Sequence, residues 1–560
     1  MSSHSVHVVL LETSANQSYV FQSNKLREIA GASDLIRRAG TDWALEAAGA
    51  AGMAGAVEFG AMTMVERAKF IDKALRIESG ASVEPVVCTS GKAVFLACSR
   101  EAGQKIVTLV TRRALEEAPG LVLRGAVSDA IALDGTAKSA GETVRDLFAE
   151  IEGLRLTLPP AEVRFPLQPM VEPCRTTGWP GEFFENKEVL SAAAKAKRDA
   201  AKEAIPRCAR DLGAHLVSNT DQLDKALGLT WLGVVHADGN GFGQVFLGLA
   251  NYCKPGATAR DYFDLFRDLS VSLDLVGVEA LKRALTTLGE VDGKVGDEKA
   301  KGIPLVVNVM GGDDLSVICD GSKAVAFAAA YLQAFETLVD KPNVGDRKNI
   351  IPELKRRDKD KPDRFGAAAG VAIVKPHHPV HRAYDLAEEL TKSAKYLIKA
   401  ELDDPSLTAL DFQVVFGDSA SNLDGLREGL LLDENTRAHA RPYVTTGDAR
   451  MEKLDTGKQA SVAKRHYDKL ESAAAVLRRS EDPAANLPRS QQHALREAVL
   501  AGKAVADARL ALMAHRYPGS KLEAFGDQRK TLFFDDRGKH LTRLLDALDI
   551  VDIAKQGSGA

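Results

Sequence analysis

The order of elements along the chain recurs, and this recurrence restricts the fold more than any other feature of the sequence. An apolar, β-branched run from Val6 to Leu11 reads as a buried strand. A helical stretch over 25–51 follows, then strand-like runs over 83–88 and 93–99 around the turn Thr89-Ser90-Gly91-Lys92, a hairpin signal. A helix over 100–117, a strand over 121–127 and a helix over 140–153 complete the first pass. The second pass opens with a strand over 231–237 and continues through helices over 243–288. Strands over 305–309 and 315–319 are then joined by Met310-Gly311-Gly312-Asp313-Asp314. A helix over 322–338, a strand over 366–374 and a helix over 382–400 close it. The stretch from Glu12 to Gly91 in the first pass is about as long as that from Asp238 to Gly312 in the second. The pattern predicts an α+β protein with two related ferredoxin-like units, each with helices on one face of its sheet.

Between the passes, 158–180 contains prolines, has little periodicity and reads as a crossover. The Ala- and Lys-rich 188–212 reads as a helix. One more strand is expected at 411–415, after which 461–479, 489–516 and 540–554 have helical composition, punctuated by Pro483 and Pro488. The expected division is a first unit over 1–155, a connector with a helical segment over 156–225, a second unit over 226–420 and a C-terminal helical bundle over 421–560. With 560 residues, 45% of them hydrophobic, the chain can build several cores. A net charge of −4 argues against a surface coated in basic charge for nucleic acid, though not against a local basic groove. None of the six cysteines forms a CxxC pair, so a zinc knuckle is not expected. Cys88, Cys98 and Cys319 lie in strand-like runs and are expected to be buried thiols. No signal-peptide pattern or membrane-length apolar stretch is present, so a cytoplasmic protein with no membrane partner is expected.

Two segments carry chemistry. An apolar strand ends at Asp238 and enters the turn Gly239, Asn240, Gly241, Phe242, Gly243, which leads into a helix. Asp313 and Asp314 follow Gly311 and Gly312 at the tip of an apolar hairpin. Phosphoryl transfer needs cations that stabilise both the attacking and the leaving oxygen, and Mg²⁺ (or Mn²⁺) takes oxygen ligands, commonly carboxylates. Carboxylates at a strand end beside a hairpin tip converge from rigid elements. Asp238, Asp313 and Asp314 are therefore the expected catalytic metal ligands, with Gly239 in the same metal site. The glycines let backbone N–H groups approach phosphate oxygens. Alone, Gly-Gly-Asp-Asp is a good hairpin turn, and Asp-Gly-Asn-Gly is a turn or a calcium-loop fragment. The loop lacks dinucleotide-binding GxGxxG spacing, because Gln244 stands where the last glycine belongs, and no GxxxxGK[ST] loop is present. The two segments together, each at a strand end, make catalysis the stronger reading.

Asp238-Gly-Asn-Gly-Phe-Gly-Gln-Val-Phe246 and Gly311-Gly312-Asp313-Asp314 resemble the palm motifs of the large polymerase-like subunit of type III CRISPR effector complexes. The opening run from Tyr19 to Ile36 and the pair Asp411-Phe412 resemble that family too. The similarity covers most of 6–415 and weakens in the tail. It implies two palm domains and the synthesis of cyclic oligoadenylates from ATP. Asp238, Asp313 and Asp314 would hold metal, 239–243 with Gly311 and Gly312 would lie along the nucleotide, and Lys395 would lie near phosphate. Ser90-Gly91-Lys92-Ala93 stands where carboxylates would be in the first palm, which is then a scaffold or a second nucleotide platform. The implied partners are nucleoside triphosphates, RNA, other CRISPR-type subunits or further copies of the chain. The sequence has no His-Asp dipeptide, so the family's nuclease domain is not expected, and of its zinc segment only Cys174 remains. A stand-alone signalling relative fits these departures. A nucleotide-binding scaffold subunit and a GTP-using dinucleotide cyclase remain open alternatives, since the motif does not read the base.

Three further features have bland readings. His377, His378 and His381 sit in a proline-containing loop and do not share one helix face, so surface or nucleotide contact is expected rather than a metal site. The mixed-charge stretch from Arg347 to Arg364 reads as a solvated insertion. Phe533-Phe534 reads as a packing anchor.

Overall fold

Val6 to Leu11 is buried at every position except the half-buried His7, so the first strand is covered on both faces and its neighbours must be found on either side. In the computed structural model, which describes residues 4–55, 59–157, 161–217, 229–295, 298–357, 365–417, 422–479, 486–526 and 528–557, this strand is β1 (Ser5–Ser14). It lies between β3 (Lys92–Ala97) and β4 (Val122–Ala132), and β2 (Val83–Thr89) pairs with β3 at the edge. The order is β2-β3-β1-β4, antiparallel throughout. The second sheet contains β5 (Leu232–Gly239), β6 (Leu305–Gly311), β7 (Asp314–Asp320), β8 (Ala367–Val374), β9 (Ala409–Val414) and β10 (Tyr443–Val444). Its order is β6-β7-β5-β8-β9-β10. The first four strands of that order repeat the first sheet, again antiparallel. β9 adds parallel to β8, and β10 adds antiparallel to β9. The recurrence read from the sequence is thus carried into strand order.

The main helices are α1 (Leu26–Gly40), α2 (Arg100–Glu117), α3 (Ala137–Thr157), α4 (Ala192–Leu212), α5 (Ala259–Ala284), α6 (Ala324–Val339) and α7 (Val380–Tyr396). The expectation of helices on one face only is corrected. Val235, Ala237, Val317 and Cys319 pack with α6 residues Phe327 and Phe335. Val234, Ile318 and Ala372, on the opposite face, pack with α7 residues Ala383 and Leu390 and with Val9 and Phe95 of the first sheet. β8 is buried at all its positions. Continuous apolar strands of this kind bury both faces, whereas one-sided strands alternate with polar residues. The shared core also joins the two units.

α5 is the element between them. It starts at a capping box in which the Thr258 amide donates to Asp261 at 2.8 Å and the Asp261 amide donates back to Thr258 at 3.3 Å, satisfying two otherwise orphaned donors. Its Arg260 and Arg267 grip Glu84 of β2, a fully buried carboxylate. Arg267 also donates to the Pro85 carbonyl at 3.0 Å. Several donors on one buried carboxylate offset the desolvation that a lone charge would suffer.

Other expectations are corrected by elements too short for a periodic pattern to reveal. The tail is mostly helical but also contains a three-stranded sheet, Lys539–Leu541 between Thr436–Arg437 and Phe534–Asp536. Phe533 and Phe534 are buried there, as a packing anchor should be. The connector contains a hairpin, Phe183–Glu185 with Glu188–Leu190. The stretch expected as a solvated insertion has Ile351 and Leu354 fully buried, and Arg347 pairs with Asp72 and Asp268. Residues 358–364 of that stretch lie outside the described residues. Cys88 and Cys319 are buried, but Cys98, just past the end of β3, is exposed. Among the described residues no helix is long and apolar enough to cross a membrane.

Candidate functional site

Ala237 on β5 faces Leu315 on β7 in register, and Asp314 closes the β6–β7 turn against Gly311. Asp238 therefore continues β5 to the level of Asp314. The Gly239 amide donates to the Asp313 carbonyl at 3.2 Å, so the strand end and the hairpin tip are joined by backbone. Glycine is required at 239 by this approach: an added Cβ would lie 2.6 Å from the Cβ of Asp313. Gly312 has φ +62° and Gly241 φ +85°, the left-handed region that favours glycine. Gly241 leads into the helix Phe242–Leu247, whose first internal bond runs from the Val245 amide to the Gly241 carbonyl at 3.1 Å.

The electrostatics follow from this convergence. Desolvation, then the neighbouring Asp238 charge, pushes Asp313 up to about 6. Asp314 is held well above the usual carboxylate range, by desolvation first and then by Asp313 and Asp238, and its carboxyl is within hydrogen-bonding reach of Asp238. The Asp314 side chain is open to the cleft. Water there tempers the desolvation, and repulsion among the carboxylates is the cause that stands. Lys395 from α7 donates to Asp238 Oδ2 and, at 3.2 Å, to the Gly239 carbonyl. His236, two residues before Asp238, is pushed down to about 4 by burial and shares a hydrogen bond with Thr391 at 3.1 Å.

The donor set is made of hard oxygens under mutual repulsion, which suits Mg²⁺ or Mn²⁺. Among the described residues no three His, Cys, Asp or Glu side chains are already gathered around one point as ligands. Asp238 is paired with Lys395.

The first unit faces this site. A Cβ on Gly311 would lie 3.2 Å from the Cβ of Ser90, so the two hairpin turns meet. Glu12 is in register with Lys92, which closes its turn against Thr89, and the two side chains pair at 3.1 Å. By register Glu12 matches Asp238, Lys92 matches Asp314, and Gly91 matches Asp313 rather than Gly312. An ammonium stands where the second unit has a carboxylate. Between the units runs a cleft of about 1270 Å³. Ser90, Lys92 and Arg145 of the first unit and Gly241, Gly243, Gly311 to Asp314 and Lys395 of the second line it.

Two residues of the loop expected along the nucleotide have side chains outside the cleft lining. Asn240 is fully buried; its amide donates to the Gly366 carbonyl at 2.8 Å, and its side chain points to the Pro405 and Leu407 carbonyls. Phe242 is fully buried against Phe335 and Phe365. A sharp strand-to-helix turn must pair its buried backbone groups and anchor its helix, and these two side chains do so. Asp411, from the resemblance motif, is also structural: buried and paired with both outer nitrogens of Arg427 at 2.6 and 2.9 Å.

Lys399 was missed by the sequence reading. It lines the same cleft, on the π-helical turn Leu397–Glu401 that extends α7, with its pKa lowered by burial and by Lys395. Its signal was there, since residues four apart share a helix face.

No family model matches the chain, and no curated protein matches it. Among solved structures it is similar to a Csm1-Csm4 cassette in complex with AMPPNP, at 11% identity and TM-score 0.47 over 99% of this chain and 70% of that chain. A cassette in complex with pppApA gives 11% identity and TM-score 0.49 over the same shares. A Csm1-Csm4 subcomplex in the type III-A CRISPR-Csm interference complex gives 11% and 0.45, again over 99% and 70%.

Proposed function

We propose that this chain is a palm-type nucleotidyltransferase that joins nucleoside triphosphates with the help of Mg²⁺ or Mn²⁺, with ATP as substrate and a cyclic oligonucleotide signal in antiviral defence as product. The observation that carries the reading is that the strand end at Asp238 and the Asp313–Asp314 turn are joined by backbone and line one cleft of about 1270 Å³. In this reading the catalytic palm occupies 226–420, the degenerate palm 1–155, the connector 156–225 and the helical tail 421–560.

Asp238, Asp313 and Asp314, with the Gly239 carbonyl beside them, are the ligands. Cations held there would supply the positive charge that stabilises the attacking and leaving oxygens. Lys395 and Lys399 bind triphosphate charge, and the backbone of 239–243 with Gly311 and Gly312 follows the phosphates. Lys395 leaves Asp238 for phosphate as the site fills. The first unit's wall, with Ser90, Lys92 and Arg145, presents the second nucleotide. The 3′-oxygen of one nucleotide bonds to the α-phosphorus of the other, the bond from that phosphorus to the bridging oxygen breaks, pyrophosphate leaves, and the hydroxyl proton passes to water.

A second reading, a nucleotide-binding scaffold subunit, draws on the Lys395–Asp238 pair and on the lack, among the described residues, of three acidic, His or Cys side chains gathered as ligands. Incubating the purified chain with each labelled nucleoside triphosphate and Mg²⁺ or Mn²⁺, with and without RNA, and resolving products by mass separates the readings. Cyclic products from ATP, abolished in Asp313→Ala with Asp314→Ala, support the enzyme. Products from GTP alone indicate a dinucleotide cyclase. Nucleotide binding with no product under any condition supports the scaffold.

A further inference from the structure

One buried side chain touches both hairpin turns. Asp274, on α5, accepts at Oδ1 from the Gly312 amide at 2.7 Å and from the Thr89 hydroxyl at 3.0 Å. Gly312 immediately precedes Asp313, and Thr89 opens the turn that ends at Lys92. The Gly312 peptide is also confined at its carbonyl. A Cβ on Gly277, one helical turn beyond Asp274, would come within 2.8 Å of the Gly312 oxygen, so α5 lies against the turn at a distance that only glycine allows. α5 is in turn fixed to the first unit through Glu84, Arg260 and Arg267. Arg67, buried on the helix Met64–Lys73, is the cation facing Asp274 and partly offsets the burial of its charge.

A strap needed only for packing could accept from any nearby donors. Here one donor belongs to the acidic turn and the other to the turn opposite it. We propose that Asp274 is a positioning residue: it fixes the Gly311–Asp314 turn against the Thr89–Lys92 turn, so that the placement of Asp313 and Asp314 depends on the first unit. This rests on the reading of those carboxylates as cation ligands. It gives the first unit a task that its Glu12–Lys92 pair does not: holding the second unit's turn in register. The bond to the Gly312 amide, short at 2.7 Å, and the bond to the Thr89 hydroxyl suit that task because hydrogen bonds are directional.

The test uses the full chain with Thr89→Val, Asp274→Ala and Asp274→Asn. Three quantities are read: Mn²⁺ affinity from the resonance signal of free Mn²⁺, deuterium exchange over 305–320, and the thermal midpoint. Thr89→Val and Asp274→Ala are expected to speed exchange across the turn and weaken Mn²⁺ binding by about tenfold or more, as loss of a ligand's supporting partner does. Asp274→Asn, which keeps an oxygen acceptor, is expected to recover most of both. A lowered midpoint with unchanged Mn²⁺ affinity and unchanged turn exchange means packing alone and overturns the proposal. Should Asp274→Ala fail to fold because Arg67 loses one of its three neighbouring carboxylates, Asp274, Asp42 and Asp211, Thr89→Val decides. Should the wild type bind no Mn²⁺, the cation reading falls by itself. Exchange still decides the clamp, and wild-type exchange in Thr89→Val overturns it.

Discussion

Lys92 pairs with Glu12 at 3.1 Å, at the register positions that Asp314 and Asp238 hold in the second sheet. The first unit therefore carries its own cation in covalent form. Lys92 also lies over the Phe148 ring at 4.7 Å and is one of the charges that draw Asp313 back towards the ordinary carboxylate range.

Replacing that ammonium should affect the cleft more than the fold. The pair is partly exposed, and such pairs contribute about 0–1 kcal/mol. Lys92→Met is expected to leave the thermal midpoint within a few degrees while raising the KM for nucleotide several-fold, through loss of a positive wall facing the phosphates. Steady-state kinetics beside thermal melts check this.

Gly239→Ala tests the close approach of strand end and hairpin tip. The new methyl meets both the Asp313 Cβ and the Phe242 ring at 2.6 Å, and neither is the far end of a flexible chain. Overpacking of this kind costs about 1–3 kcal/mol. The displaced Asp313 should lower kcat by about a hundredfold, in keeping with the cost of a small misplacement in a reacting site. Denaturant unfolding and turnover measure the two effects separately.

Proton competition gives a pH test. Asp313 is raised from 3.8 to about 6. Between those values the folded chain binds more protons than the unfolded, so this group's contribution to stability falls as pH rises through the window. His236, lowered from 6.5 to about 4, acts in the opposite sense: the unfolded chain binds the proton there, and stability is lost as pH falls. Asp314, also raised, acts in the same sense as Asp313, so the midpoint of the cation-free chain mixes opposing contributions and is a poor gauge. The rise in midpoint caused by Mg²⁺ isolates the carboxylates, because ligands must be deprotonated. It should be larger at about pH 7.5 than at about pH 5, with the dependence lost in Asp313→Ala with Asp314→Ala.

The tail provides a control. Asp546 is fully buried and accepts from Arg441, the Tyr443 hydroxyl and the Ala440 amide at 2.7 to 2.8 Å. Asp546→Ala removes one of the two carboxylates paired with the buried Arg441, which keeps Asp549 at 3.0 Å, and takes this acceptor from the Ala440 amide and the Tyr443 hydroxyl, at about 1–3 kcal/mol for each buried group left unsatisfied. Turnover per folded molecule should not change, since none of these residues reaches the cleft. Unfolding curves and active-fraction assays settle it.

How much of this was legible follows from the range over which each residue's partners act. The ends of β5 and β7 could be read because an apolar run stopping at a carboxylate is a local pattern, and the repeated order fixed which strands neighbour one another. The roles of Asn240 and Phe242 could not be read, because a motif names the residues of a turn without saying which side chains face inward. Asn240 answers to carbonyls at 405 and 407 and Phe242 to rings at 335 and 365, all distant in sequence. Asp274 left no trace for the same reason: it is one polar position inside a long helix, and its meaning comes from turns at 89 and 312. Helices on both faces were legible in the continuous apolar runs of β1 and β8, but the ferredoxin-like expectation outweighed that signal.

The central claim is that carboxylates from two separate stretches share divalent cations. The most direct measurement is Mn²⁺ titration in the presence of a non-hydrolysable ATP analogue, for the wild type, Asp238→Ala, and Asp313→Ala with Asp314→Ala. The account predicts about two ions per chain in the wild type and weakened or lost binding in each variant, although the substitutions lie on different elements. Wild-type binding in either variant would contradict it.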